Sequence, residues 1–121
     1  MPGLKSSLNN SRGRFCESLA ANHFVENLGH IFVTQNLNLY FGEIDLLLIS
    51  PEGELVVVEV KSVNDELSWR APVSKSQALR LKRVMDHFVA TSPRACRMHL
   101  AAVNQQNEIV VFEDFLADMF S

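Results

Sequence analysis

The spacing of apolar residues divides the chain into helical and extended segments. Apolar positions at helical spacing predict helices over residues 13–28 and 74–91, which Gly29 and Ser92-Pro93 would end. Runs rich in β-branched and aromatic residues predict strands over residues 31–41, 43–50, 54–62, 97–103 and 108–112. A loop over 63–72 and a short helix from Glu113 complete the order α-β-β-β-α-β-β-α. This order indicates an α/β fold with a mixed sheet flanked by helices.

The segment Pro51-Glu52-Gly53 lies between two of these strands and predicts a β-hairpin with a three-residue loop. Such loops place a left-handed residue last, and Gly53 adopts that conformation at no steric cost. If Ser50 faces Glu54 across the loop, Asp45 faces Glu59 on the neighbouring strand. Strand alternation then puts Lys61 on the side of Glu59, and Glu43 on the side of Asp45. Glu43 is a candidate for supporting the metal ligands from behind, and the alternative is a solvent-exposed acid near the start of the strand.

Two facing carboxylates in apolar strands are costly unless they are paired or bind a cation. A hard cation such as Mg²⁺ prefers oxygen ligands, activates water and stabilises charge on a phosphoryl oxygen. Asp45 and Glu59 are therefore candidate metal ligands, and Lys61 is a candidate for orienting the attacking water. The alternative is an ion pair of Lys61 with Glu43 or Asp45 on a half-exposed hairpin.

Glu17 shares a helical stripe with Ala20, Ala21, Phe24 and Leu28, so it lies on or beside the buried face of the first helix. It is a candidate third carboxylate for the same cation. The alternative is a first-turn acid favoured by the helix dipole.

Composition limits the class of the protein. A chain of 121 residues with 47% hydrophobic content can build one core, so we expect a flexible N-terminus over 1–11 and a single domain over 12–121. The chain contains no apolar run of transmembrane length and no signal-peptide core, which favours the cytoplasm. The two cysteines, Cys16 and Cys96, are expected to be reduced thiols, and the four histidines lack zinc-ligand spacing.

The net charge of −3 argues against a strongly basic nucleic-acid-binding protein, but basic residues are concentrated in 61–97. This concentration predicts a local positive surface. The candidate contacts to backbone phosphates are Lys75, Gln77, Arg80 and Arg83 in the second helix and Arg70 in the loop before it. The alternative is an ordinary solvated helix surface with a capped start.

The chain contains a characteristic series of residues in this order: Gly13, Glu17, Ala20, Gly29, Asn36, Gly42-Glu43-Ile44-Asp45-Leu46, Val58-Glu59-Val60-Lys61 and Lys75. In this order and spacing they resemble the YraN-like family of small uncharacterised bacterial proteins, which is placed in the restriction-endonuclease-like PD-(D/E)-x-K nuclease superfamily. The resemblance implies a restriction-endonuclease-like core with a central mixed β-sheet. It also implies that Asp45, Glu59 and Lys61 form a nuclease-type triad, with Glu17 as an additional metal ligand.

Two positions depart from the family pattern. Cys16 stands where the family usually has glycine, and Ser62-Val63 follows Lys61 where the family usually has Lys-x-Arg, so one arginine is missing unless Arg70 substitutes for it.

The function expected from these residues is a Mg²⁺- or Mn²⁺-dependent endonuclease that hydrolyses DNA, with branched or damaged DNA among its candidate substrates. A homodimer would supply two sites for cutting both strands. One alternative is a non-catalytic module that keeps the nuclease fold and binds nucleic acid or protein. Another is a purely structural set of ion pairs at a sheet edge.

Overall fold

A computed structural model describes residues 2–64 and 70–120, and its elements follow the predicted order. The elements are α1 (Pro2–Asn22), a π-helical turn (His23–Asn27), β1 (Ile31–Leu39), β2 (Gly42–Ile49), β3 (Leu55–Ser62), α2 (Lys75–Thr91), β4 (Cys96–Val103), β5 (Ile109–Glu113) and α3 (Phe115–Phe120). The predicted loop over 63–72 lies partly outside the described residues.

The first helix begins at Pro2, so its predicted start at residue 13 is wrong. This start places Glu17 far from the first turn, and the alternative explanation of Glu17 by the N-terminal helix dipole is therefore also wrong. Ala20 and Phe24 are buried as predicted, whereas Leu28 is exposed. The proposed division of the chain at residue 11 stays a prediction.

The five strands form one mixed sheet in the order β1-β2-β3-β4-β5. Only β3 and β4 pair in parallel, and the other neighbours are antiparallel. A parallel pair needs a long crossover, which α2 supplies between β3 and β4. The predicted mixed sheet flanked by helices is confirmed.

Both faces of the sheet are buried at its centre. One face packs on α2 and α3 through a cluster that includes Ile44, Leu47, Leu81 and Val84. The other face packs on α1 through a cluster that includes Phe24, Leu46 and Val58. Burial on both faces explains why β3 is apolar at nearly every position, and it makes the charged Glu59 exceptional there.

The hairpin between β2 and β3 has the predicted register. Leu46 pairs with Val58 and Ile49 with Leu55. The amide of Ser50 donates to the carbonyl of Glu54 at 2.9 Å, and Gly53 closes the turn with φ +86°.

The sheet has an irregularity where Asn36 of β1 lies across from Asp45 of β2. The residues on either side pair regularly, Gln35 with Leu46 and Leu37 with Ile44, but Asn36 adopts a left-handed conformation with φ +52°. At the same level of β2, Ile44 packs on the α2 side although Leu46 packs on the α1 side. Strict alternation would put these two residues on one face, so the prediction that Glu43 shares a face with Asp45 is wrong.

The described helices include none that is both long and apolar enough to cross a membrane. Cys16 is buried and Cys96 half-buried, and both are free thiols as predicted.

We expect Asn36→Val to destabilise the fold by about 1–3 kcal/mol, because a β-branched residue is strained at positive φ. Asn36→Gly is the matched control, since glycine accepts this backbone conformation but removes the same amide. Urea unfolding should rank the proteins wild type, Asn36→Gly, Asn36→Val in decreasing stability. A valine variant as stable as the glycine variant would contradict the role of the backbone conformation.

Candidate active site

The carboxylate pair lies at the point where β2 separates from β3. The recorded pairing of these strands ends at Leu46 with Val58. One residue further, Asp45 Oδ2 accepts the backbone N–H of Val60 at 2.8 Å. The side chain of Asp45 therefore fills the gap between the diverging strands and satisfies a donor that the strand ladder leaves open.

Glu59 lies beside Asp45 in this gap, as the hairpin register predicts. The two carboxyl groups share a side-chain hydrogen bond. Glu59 is 5% exposed, so its carboxyl has lost most of its hydration. A buried acid of this kind requires a proton, a cationic partner or a metal ion.

The cationic partner in the structure is Arg80 of α2. Its Nη2 donates to Glu59 Oε2 at 2.8 Å, and its Nη1 donates to the carbonyl of Glu43 at 3.0 Å. Lys61 forms no ion pair within the described residues, so the alternative pairing of Lys61 with Glu43 or Asp45 is not what the structure shows. Lys61 is half-buried and lies close enough to stabilise the charged form of Glu59.

Burial and the neighbouring Asp45 carboxyl raise the pKa of Glu59 to about 8, although Arg80 and Lys61 act in the opposite direction. Near neutral pH Glu59 therefore holds its proton. A divalent cation that binds this pair has to displace that proton.

Glu17 and Glu43 meet around the side chain of Asn36. With its amide nitrogen facing the acids, Asn36 donates to Glu17 Oε1 at 3.0 Å, to Glu17 Oε2 at 3.2 Å and to Glu43 Oε1 at 3.1 Å. Burial, and after it the charge of Asp45, raises the pKa of Glu17. Asp45 thus interacts electrostatically with acids supplied by α1 and by β3.

Asn36 was not among the predicted site residues, although the sequence contains a signal for it. Asparagine is unfavourable inside a strand, and it is among the residues that adopt positive φ most readily. An asparagine in a predicted strand therefore indicates a position where the backbone can turn, although Asn38 of the same strand carries the same signal and pairs regularly with Glu43.

The pair of Asp45 and Glu59 fits a hard divalent cation. Their donors are carboxylate oxygens, and Mg²⁺ is typically held by one or two carboxylates with water in its other positions. Within residues 2–64 and 70–120, no three histidine, cysteine or acidic side chains converge on one ion position. Glu17 is therefore near the pair without closing a three-residue group, and its role as a ligand stays a prediction.

The remaining candidates lie along the start of α2 and the loop before it. Gln77 is part of a capping box, in which Ser74 Oγ accepts from the Gln77 amide and Gln77 Oε1 accepts from the Ser74 amide. This arrangement matches the alternative of a capped helix start. Lys75, Arg83 and Arg70 are exposed, and their contacts to phosphate stay predictions.

A model of the uncharacterised protein family UPF0102 matches residues 16–103, a range that contains α1 from Cys16 onward, the hairpin, α2 and β4. This chain belongs to the UPF0102 family. A UPF0102 protein of Burkholderia lata is 43% identical over 93 residues, covering 77% of this chain and 62% of the relative. A UPF0102 protein of Shewanella sediminis is 33% identical over 96 residues, covering 76% of this chain and 80% of the relative.

The UPF0102 chain is also similar to a solved structure, a repair endonuclease from Pyrococcus abyssi. The TM-score is 0.50 and the sequence identity 18%, and the match covers 75% of this chain and 39% of that one. The chain thus spans well under half the length of that structure. A likeness at this identity concerns the fold, and it confirms the restriction-endonuclease-like architecture.

The raised pKa of Glu59 makes stability depend on pH in a defined direction. The carboxyl titrates near 4.5 when unfolded and at about 8 when folded, so the native state holds the proton more tightly. Stability should be highest below pH 4.5 as far as this group is concerned, and fall by up to about 1.4 kcal/mol per pH unit as the pH rises toward 8.

Urea unfolding between pH 5 and 9 measures this slope. Glu59→Gln should remove much of it, whereas Glu26→Gln, which changes an exposed glutamate of the π-helical turn, should retain it. An equal slope in Glu59→Gln and wild type would show that Glu59 does not hold the proton.

Proposed function

We propose that this chain is a divalent-metal-dependent endonuclease that hydrolyses phosphodiester bonds of DNA. The observation that carries the proposal is the buried, hydrogen-bonded pair of Asp45 and Glu59, with Lys61 two residues further along β3. Two carboxylates and a lysine at a fork between strands are the groups that metal-assisted phosphodiester hydrolysis needs.

Asp45 and Glu59 would hold Mg²⁺ or Mn²⁺, and Glu17 would support the cation from the α1 side. When bound, such a cation polarises a phosphoryl oxygen and activates water. The chain supplies orientation: the N–H of Val60 fixes the Asp45 carboxylate, because it binds Oδ2 directly. Lys61 orients the attacking water and neutralises charge that develops on the phosphate.

DNA is the proposed substrate because the fold is shared with a repair endonuclease and because basic side chains lie on the exposed part of α2. Lys75, Arg83 and Arg70, with the amide of Gln77, would contact backbone phosphates, and such contacts carry no sequence information. A homodimer acting on branched or damaged DNA is the arrangement that we propose for cutting both strands.

A binding module that keeps the nuclease fold without catalysis is the second candidate. One observation favours it: Glu59 already has a cationic partner within the chain, because Arg80 Nη2 donates to Glu59 Oε2 at 2.8 Å. The two candidates differ in whether the acidic pair binds metal, and in whether DNA is cut.

A cleavage assay on junction, flap and linear DNA with Mg²⁺ or Mn²⁺ tests the catalytic proposal. Asp45→Asn and Lys61→Ala should each lower the rate roughly 100-fold or more, because each removes a group that acts on the transition state. Lys82→Ala is the matched control, since Lys82 lies on the surface of α2 and pairs with Asp86. Activity that survives both substitutions would exclude this site as the origin of cleavage.

Titration calorimetry with Mn²⁺ separates the two candidates directly. The wild-type chain should show one saturable site, and Glu59→Gln should abolish it because half of the ligand pair is lost. Binding should also become tighter as the pH rises toward 8, since the proton on Glu59 competes with the cation. A chain that binds no Mn²⁺ would favour the binding module.

A further inference from the structure

Arg80 contacts the acidic pair of Asp45 and Glu59 from the α2 side, through Glu59. Its guanidinium donates to Glu59 Oε2 at 2.8 Å and to the carbonyl of Glu43 at 3.0 Å, so one side chain bridges β3 and β2. The Arg80 side chain is 32% exposed, while that of Glu59 is 7% exposed. A charge-assisted contact to a buried carboxylate is stronger than a solvated surface ion pair.

Gly42 makes room for this side chain. A Cβ at position 42 would lie 3.1 Å from Nη1, 3.2 Å from Cδ and 3.4 Å from Cγ of Arg80. The first two separations are shorter than ordinary van der Waals contacts, and the third is at their lower limit. The start of β2 therefore packs directly against the Arg80 side chain, and a side chain at position 42 would displace it by a few tenths of an ångström.

The guanidinium and a divalent cation need the same group. Glu59 Oε2 already accepts from Arg80, and a cation on Glu59 would place two positive charges side by side in a partly buried site. Lys61 adds a further positive charge close to the same carboxyl. Occupation of Glu59 by the cation therefore opposes the contact with Arg80.

We propose that Arg80 competes with the divalent cation for Glu59, and that the released arginine binds a phosphate of the DNA. This inference rests on the proposed function and adds a second state to the site. Without metal, Arg80 stabilises the buried acids. With metal, its long, flexible side chain turns from Glu59 toward the substrate while its Cα stays fixed on α2. Arg80 is in this sense a positioning residue that becomes a substrate contact.

Mn²⁺ calorimetry on Arg80→Gln tests the competition. We expect Mn²⁺ to bind roughly tenfold more tightly than to wild type, the equivalent of one charge-assisted hydrogen bond that no longer has to be broken. Lys82→Gln removes the same charge from an exposed position on the same helix, and it should change the affinity less than about twofold because solvent screens it. Arg80→Lys should lie between wild type and Arg80→Gln.

Gly42→Ala provides a test that changes no charge. The added methyl group should shift the Arg80 side chain by a few tenths of an ångström and weaken its hydrogen bond to Glu59, so Mn²⁺ should again bind more tightly than to wild type. Because Gly42 has φ +158°, the substitution also strains the backbone, and this cost appears in the unfolding temperature without Mn²⁺. Thermal unfolding of each variant, recorded with and without Mn²⁺, checks that the chain is folded. The stabilisation that Mn²⁺ gives should be larger for Arg80→Gln and Gly42→Ala than for wild type.

The second state is tested by DNA affinity in the Lys61→Ala background, in which cleavage is suppressed. Loss of one phosphate contact lowers the slope of log affinity against log salt concentration by about 0.9 for duplex DNA. Arg80→Gln should show this reduction with Mn²⁺ present and little of it without Mn²⁺.

Three results would overturn the inference. Arg80→Gln could bind Mn²⁺ more weakly than wild type, which would make Arg80 a supporter of the metal site. Its Mn²⁺ affinity could equal that of Lys82→Gln, which would mean that Arg80 acts only through the net charge of the protein. The salt slope could fall equally with and without Mn²⁺. In each case Mn²⁺ binding by the wild type leaves the proposed function standing, whereas no binding by wild type and Arg80→Gln alike overturns both.

Discussion

The hydrogen bond between the Asp45 carboxylate and the backbone N–H of Val60 is the contact on which the site depends. Sheets ordinarily satisfy their amides with neighbouring carbonyls, and a strand that leaves its partner exposes unpaired groups. Here a side chain takes the place of the missing carbonyl. The backbone N–H of Val60 is therefore hydrogen-bonded although β2 has separated from β3. The same contact fixes the Asp45 carboxylate beside Glu59.

Several acids close together where β2 separates from β3 repel one another, and the surrounding elements reduce this electrostatic cost. Arg80 supplies positive charge from α2, and the Asn36 amide supplies hydrogen bonds to Glu17 and Glu43. The raised pKa of Glu59 shows that the compensation is incomplete. A divalent cation would supply the missing positive charge once it displaced the proton from Glu59.

Local sequence signals predicted the hairpin and therefore the central pair. The turn residues around Gly53 set the register, and the register placed Asp45 beside Glu59. The positions of Glu43 and Arg80 could not be predicted in this way. Glu43 changes face because β2 departs from strict alternation between Ile44 and Leu46, which the hairpin register does not encode. Arg80 reaches the site because α2 packs across the strand ends, a tertiary arrangement that helical spacing does not specify.

The packing of Gly42 on Arg80 couples two positions that are far apart in the chain. A Cβ at position 42 would lie 3.1 Å from Nη1 and 3.2 Å from Cδ of Arg80, so a larger residue there requires the Arg80 side chain to shift. The two positions should therefore vary together among sequences that keep this architecture. Correlated variation at positions 42 and 80 would therefore identify this site from sequences alone.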